Sequence, residues 1–337
     1  MPYLVGMDEA GYGPNLGPLV ISASVWWLPD HLADADLYDI LAEVVCNGSS
    51  TGESRKSKGR ASGSRTAVCA ESRLAIADSK LLYHPGGGLG QLERGLLAVL
   101  SALGHEAGDW RWLWHVLAEK SGAHLQVDPW YLNFERDLPL DCDRDDVKSE
   151  AERLQSEWCA AGVRCCAVAS RAVFPEEFNA LCERFNSKGE ALTHCTLELL
   201  GDVLRNLEAQ PMRVTCDKHG GRHYYAGQLQ QLAGDAFLEV CCESPAVSTY
   251  RFGPTETQVE ISFRVGGEQF LPTALASMAS KYLRELAMLP LNEFWCQEVP
   301  DLRPTAGYPQ DAKRFKRDIA RRQETLAIGD DRLWRKR

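Results

Sequence analysis

The stretch Gly6-Met7-Asp8-Glu9-Ala10-Gly11-Tyr12-Gly13-Pro14, continued by Asn15-Leu16-Gly17-Pro18 and the run Leu19 to Trp27, decides the fold. It reads as a strand through Asp8, a glycine-rich turn from Gly11 to Pro18, and a second strand. Successive strand residues point to opposite faces, so Asp8 and Glu9 converge on one site only where the strand ends or kinks, and the glycines supply that kink. Glycines also let backbone N–H groups at Gly11, Tyr12 and Gly13 approach a phosphate closely. An acid pair before a turn is equally compatible with a solvated loop entrance.

Working outward, the chain alternates short strands and helices. The pattern predicts a helix over 36–45, a strand over 74–80 that ends in the polar turn Asp78-Ser79-Lys80, and a helix over 89–103. Helices follow over 149–161, from Pro175, and over 192–207, with strands at 163–169, 213–217 and 259–265. Helices over 272–288 and 311–322 complete the reading, which predicts a mixed β-sheet flanked by helices. Asn47 to Arg65 is rich in Ser, Gly, Lys and Arg and reads as a flexible surface insert. The stretch holding Trp110, Trp112, Trp114 and Trp130 is either a small accessory core or an aromatic platform for bases.

A second acid, Asp217, ends the strand that begins at Arg213 and precedes Lys218-His219-Gly220-Gly221. That position suits a metal ligand or a turn-forming aspartate. Oxygen ligands from separated strands are the composition expected for Mg²⁺ or Mn²⁺. On the helix after Gly267, Thr273, Ser277, Lys281 and Arg284 recur at helical spacing opposite an apolar stripe. Hydroxyls and cations in one line suit a phosphate backbone or a solvated face. His219 and His223 lack metal-ligand spacing and carry no ligand role.

The formal net charge of −10 argues against a protein that coats nucleic acid nonspecifically. The basic residues concentrate in 301–337, a local surface that can contact phosphates while carboxylates elsewhere hold cations. The 12 cysteines are scattered without C-x-x-C spacing, so a disulfide framework is not expected. No signal-like or membrane-spanning run occurs, and the expected location is the cytoplasm.

These motifs resemble, in order, those of type 2 ribonucleases H (ribonuclease HII). Gly6 to Pro14 is similar to the family's Gly-x-Asp-Glu-Ala-Gly-x-Gly-Pro opening, with Gly17-Pro18 leading into the next strand. Asp78-Ser79-Lys80 resembles its Asp-Ser-Lys turn, 178–191 with Asn186 its Asn-containing helix pair, and Asp217 its next metal-binding aspartate. Ala276 to Arg284 is similar to its Ala-Ser-x-x-Ala-Lys helix, and Gly307-Tyr308-Pro309 to the start of its C-terminal helices. The excess lies at about 30–73 and 99–145, which read as insertions. Two departures stand out: the family's Gly-Arg-Gly is Gly11-Tyr12-Gly13 here, and its fourth acid falls on Gly267, with Glu268 beside it.

The resemblance implies an α/β ribonuclease H-like domain over 1–300 and a basic helical region over 301–337. It implies a metal-dependent endonuclease acting at ribonucleotides in RNA/DNA hybrid or ribonucleotide-containing duplex, leaving 5′-phosphate and 3′-hydroxyl ends. Asp8, Glu9 and Asp217 would hold two Mg²⁺ or Mn²⁺ ions and carry catalysis. Glu268 is the replacement fourth carboxylate, or else an acid favoured by a helix N-terminus. Gly11, Tyr12, Gly13, Lys80, Ser277, Lys281 and Arg284 would contact the nucleic acid. Two rivals remain: a degenerate member that binds without cutting, and an interaction scaffold working through the Trp-rich insertion.

Overall fold

A computed structural model of the chain describes residues 3–48, 73–84 and 86–336. All but Asn47 and Gly48 of the insert expected over 47–65 falls outside them. The first strands, β1 (Tyr3–Ala10) and β2 (Leu19–Trp27), pair antiparallel from Tyr3↔Trp27 to Ala10↔Val20. A short helix α1 (Leu37–Ile40) follows, capped by the Asp36 side chain, and then the two-residue strand β3 (Val45–Cys46) pairs with β4 (Leu74–Ala75). The longer helix predicted over 36–45 stops at Ile40, because residues 41–44 turn the chain and Val45 joins that strand pair. Asp78 caps α2 (Ser79–Leu82) by accepting from the Lys80 N–H at 3.0 Å.

Helices α3 (Gly90–Ala102), α4 (Trp110–Ala118), α5 (Pro129–Leu132) and α6 (Arg144–Ala161) come next, then strand β5 (Arg164–Val173). Helices α7 (Pro175–Phe185) and α8 (Lys188–Arg205) lead to β6 (Met212–Asp217) and α9 (Ala226–Ala233). Strands β7 (Glu239–Glu243), β8 (Val247–Phe252) and β9 (Val259–Arg264) precede α10 (Leu271–Glu298), α11 (Pro309–Thr325) and α12 (Asp330–Leu333). Sequence reading missed β7 and β8: all of β7 is exposed, so burial imposes no alternation on it.

Seven strands form one sheet in the order β5-β2-β1-β6-β9-β8-β7. β6 runs parallel to β1 and β9 parallel to β6, while the remaining neighbours are antiparallel. This is the mixed sheet with helices on both faces that the sequence predicts. One apolar core joins α3, α4, α6, α10 and α11 on one face; the other joins α8 and α9 to alternate residues of β1, β2, β6 and β9.

Helix α10 sets the first core. It runs past Pro290 to Glu298 rather than stopping at Met288, because Leu291 and Trp295 beyond the proline are buried. The tryptophans of the insertion pack here: Trp110, Trp114 and Trp130 are buried, and the Trp110 indole N–H donates to the Leu286 carbonyl at 2.9 Å. The accessory-core reading therefore holds over the aromatic platform. The buried Glu93 carboxylate anchors the same insertion, accepting from the Leu140 and Asp141 N–H groups and the Tyr282 hydroxyl at 2.6 to 2.7 Å.

α10 lies on β1 at backbone contact. A methyl group on Gly6 would sit 2.1 Å from the Pro272 carbonyl carbon and the Thr273 nitrogen. Both clashing atoms are main chain, so no side-chain rotation relieves them. Gly6→Ala is expected to cost about 3 kcal/mol of stability through this overpacking, read from urea unfolding. A loss under about 1 kcal/mol would mean that the helix yields freely.

Candidate metal centre

The acids meet where β1 and β6 end side by side. Residues Leu4, Gly6 and Asp8 point toward α10, whereas Tyr3, Val5 and Met7 enter the opposite core. Asp217 ends β6 on the α10 side, one position beyond Cys216, which faces the opposite core. Glu268 comes from a single 3₁₀ turn, Gly267–Gln269, immediately before α10. Carboxylate oxygens of Asp8, Asp217 and Glu268 all lie within 4.8 Å of one another.

Glu9 stands apart from this trio. β1 stays regularly paired through Ala10, so the expected kink at Asp8-Glu9 is absent, and alternation sends Glu9 toward the other face. Its carboxyl still feels the charges of Asp8, Asp217 and Glu268.

Hydroxyls and amides hold the trio in place. The Ser280 hydroxyl donates to the Asp8 carbonyl at 3.0 Å and shares a hydrogen bond with the Ser22 hydroxyl at 2.8 Å, and Ser22 meets Ser170 at 2.7 Å. The Gly267 N–H donates to an Asp217 carboxylate oxygen at 3.2 Å. Lys80 pairs with Glu268 at 3.1 Å and with Asp78 at 3.9 Å, while its own side chain stays largely exposed. The salt bridge gives Glu268 a partner that a plain helix-dipole role would not require.

Several predicted nucleic-acid contacts lie elsewhere than expected. Thr273, Ser277 and Arg284 are buried, so the polar line on α10 is no phosphate-facing surface. Ser277 donates to the Ser79 hydroxyl at 3.1 Å and lies against Asp8. Lys281 pairs with Glu285 at 2.6 Å over the Tyr83 ring. Arg284 donates to the Ala306 carbonyl at 2.8 Å and to Glu285 at 2.9 Å. Pressed between a sheet and a tryptophan-rich core, the first half of the helix leaves only Lys281 of this line partly exposed. Of the turn, Gly11 has φ +89° and packs on Arg284, Tyr12 is half-buried under the Lys188 ammonium, and Gly13 is exposed. His219 is a core residue beside Thr193 and Thr196, held neutral because burial pushes its pKa down to about 3.

Sequence reasoning missed Ser22, Ser170 and Ser280, whose serine-rich spacing resembles ordinary helix and strand filling. It also missed Arg335, which donates to the Gly11 and Pro14 carbonyls. Burial and the neighbouring Arg284 guanidinium push that arginine down to about 9.

The donor set fits a divalent cation. Burial, together with the charges of Glu268 and Asp217 and against the Ser277 hydrogen bond, lifts Asp8 from 3.8 to about 8. Burial first, then Glu268, raises Asp217, and burial with Asp8 and Asp217 raises Glu9 well above the carboxylate range. Several crowded oxygens facing one lysine are what a hard cation relieves.

No protein-family model and no curated protein matches the chain. Among solved structures it is similar to the ribonuclease H2 of Pyrococcus horikoshii OT3, at 14% identity, over 98% of this chain and 92% of that one, with a TM-score of 0.47. It is similar to the RNase HII of Archaeoglobus fulgidus, solved in complex with PCNA, at 12% identity over 99% and 94%, with a TM-score of 0.42. A third likeness is Bst-RNase HIII in complex with Mn²⁺, at 12% identity over 98% and 65%, with a TM-score of 0.38.

A raised carboxyl pKa means that the folded protein binds more protons than the unfolded chain between the two values. For Asp8 that window runs from 3.8 to about 8, so its contribution to stability falls as pH rises through it. Without added metal the protein should lose stability from about pH 4 toward pH 8. Asp8→Asn should flatten that slope and stabilise the metal-free protein at pH 8 by about 1 kcal/mol or more. Thermal unfolding across pH reads both, and an Asp8→Asn variant less stable than the parent at pH 8 would contradict the assignment.

Proposed function

We propose that this chain is a metal-dependent endonuclease of the ribonuclease H type, cleaving the phosphodiester at ribonucleotides in RNA/DNA hybrid or ribonucleotide-containing duplex. The observation that carries this reading is the convergence of Asp8, Asp217 and Glu268 at the ends of two adjacent parallel strands. Mg²⁺ or Mn²⁺, held by those three with Glu9 serving a second position, would activate water and stabilise the leaving oxygen. Ser277 and Ser280 keep Asp8 aimed, and the Gly267 amide does the same for Asp217. Lys80 balances Glu268 in the free protein and is exposed enough to turn toward a phosphate. Products would carry 5′-phosphate and 3′-hydroxyl ends.

Nucleic acid needs cations beside these acids. Helix α11 starts next to the turn, where the Gly307 carbonyl accepts from the Asn15 N–H at 2.8 Å. Its Lys313, Arg317 and Arg321 recur at steps of four on an exposed face. That stripe replaces the buried face of α10 as the phosphate-contacting surface.

The test is incubation with a duplex holding a single ribonucleotide, and another with an all-RNA strand on DNA, in Mg²⁺ or Mn²⁺. Asp217→Asn should abolish cleavage with the fold retained, because the amide keeps shape but not charge. Glu268→Gln should raise the Mn²⁺ concentration needed, and the calorimetric Mn²⁺ dissociation constant, by about tenfold or more. Duplex binding by the parent without cutting in either metal would instead mark a non-cleaving binder. Near-parental turnover in Asp217→Asn would overturn the metal assignment.

A further inference from the structure

The turn after Asp8 and Glu9 is tied down through its carbonyls. Arg335, 1% exposed, donates through one terminal nitrogen to both the Gly11 and Pro14 carbonyls. Its Nε and other terminal nitrogen have no hydrogen-bond partner among the described residues, and the guanidinium lies over the Phe178 ring at 5.0 Å. A buried guanidinium with no carboxylate is costly, so what it holds is informative. The segment carrying it is anchored separately. The Arg335 N–H donates to the Asn15 carbonyl at 2.8 Å, Asn15 Nδ2 donates back to the Arg335 carbonyl at 3.1 Å, and Asn179 Nδ2 donates to the Trp334 carbonyl at 2.9 Å.

A trans peptide group carries its C=O and N–H on opposite sides. Drawing the Gly11 carbonyl onto a buried guanidinium therefore turns the Tyr12 N–H the other way, out of the protein. Neither the Tyr12 nor the Gly13 amide has an acceptor among the described residues. Gly13 is exposed, and a Cβ placed on it would meet nothing within 4 Å. Outward N–H groups in a glycine turn form a concavity that suits an anion.

We propose that Arg335 is a positioning residue for a nucleic-acid phosphate at the Gly11–Gly13 turn: by holding the Gly11 carbonyl inward, it turns the Tyr12 amide toward a phosphodiester oxygen, beside the unpaired Gly13 amide, without touching the phosphate itself. The proposal rests on the nuclease reading and adds the group that orients its turn. Without the guanidinium, a peptide next to glycine is free to flip, and a carbonyl facing the phosphate repels it.

The test measures binding of a ribonucleotide-containing duplex by fluorescence anisotropy at several salt concentrations, using the full chain with Asp217→Asn to prevent cleavage. In that background Arg335→Met should raise Kd about tenfold, and Arg335→Lys, whose ammonium still reaches a carbonyl, should raise it less. The slope of log Kd against log salt should not change, because Arg335 neutralises no phosphate. Mn²⁺ affinity of Arg335→Met with Asp217 intact should stay at the parental value. Asn15→Ala, which loosens the same segment but leaves the guanidinium, should lower thermal stability and leave Kd near parental.

Parental Kd in Arg335→Met would overturn the proposal, and so would a salt slope reduced by about 0.9, the mark of direct phosphate contact. Equal weakening by Asn15→Ala would overturn it too, since the loss would then follow stability. Should Arg335→Met fail to fold, Arg335→Lys carries the test, and parental Kd in that variant together with parental Kd in Asn15→Ala overturns the proposal. No duplex binding by the Asp217→Asn parent would sink the nuclease reading beneath it, a different outcome from binding that ignores residue 335.

Discussion

The backbone contact between α10 and β1 at Gly6 is the constraint on which the site depends. Only hydrogen fits between the strand and the Pro272–Thr273 peptide. Because the helix sits that low, the turn before it reaches the ends of β1 and β6 and delivers Glu268 to Asp8 and Asp217. The same approach puts Ser277 against Asp8 and Ser280 under its carbonyl. The Ser24 hydroxyl, donating to the Pro272 carbonyl at 2.7 Å, fastens the helix to the neighbouring strand. A small residue in a strand thus fixes the geometry of a carboxylate 262 positions later.

Charge is the second constraint, and it opposes the first. Packing brings like-charged groups together with little water around them, so their protons are held tightly. Arginine does not relieve them: Arg284 and Arg335 lie beneath the adjacent turn, committed to backbone carbonyls and to Glu285. Lys80 reaches the acids from α2, a four-residue helix with an exposed side chain. Such unresolved repulsion in an otherwise well-packed fold is what functional sites impose on stability.

The strand-turn-strand opening was legible because apolar runs flank the acids and glycine follows at once, and Asp217 was legible as an acid ending an alternating strand. Glu268 could be read only as a glutamate beside an absent acid; its place in the trio comes from the low seat of α10. The kink that the glycines suggested after Asp8 is absent, because the pairing runs unbroken to Ala10, so Glu9 leaves β1 on the face opposite Asp8. The line Thr273, Ser277, Lys281, Arg284 was misread because helical spacing defines a face but not what covers it. Here the sheet covers most of it, and hydroxyls serve to dock the helix. Arg335 left no local signal, since its partners at the turn lie more than 300 residues away in the chain.

Asp8, Asp217 and Glu268 converge where a single cation could be held by all three. Anomalous diffraction from crystals of the chain grown with Mn²⁺ tests that shared site most directly. A manganese peak is expected within coordination distance of all three carboxylates, with Lys80 displaced from Glu268. A map with no peak there, or with manganese on Asp8 and Asp217 while Glu268 stays bound to Lys80, would contradict it.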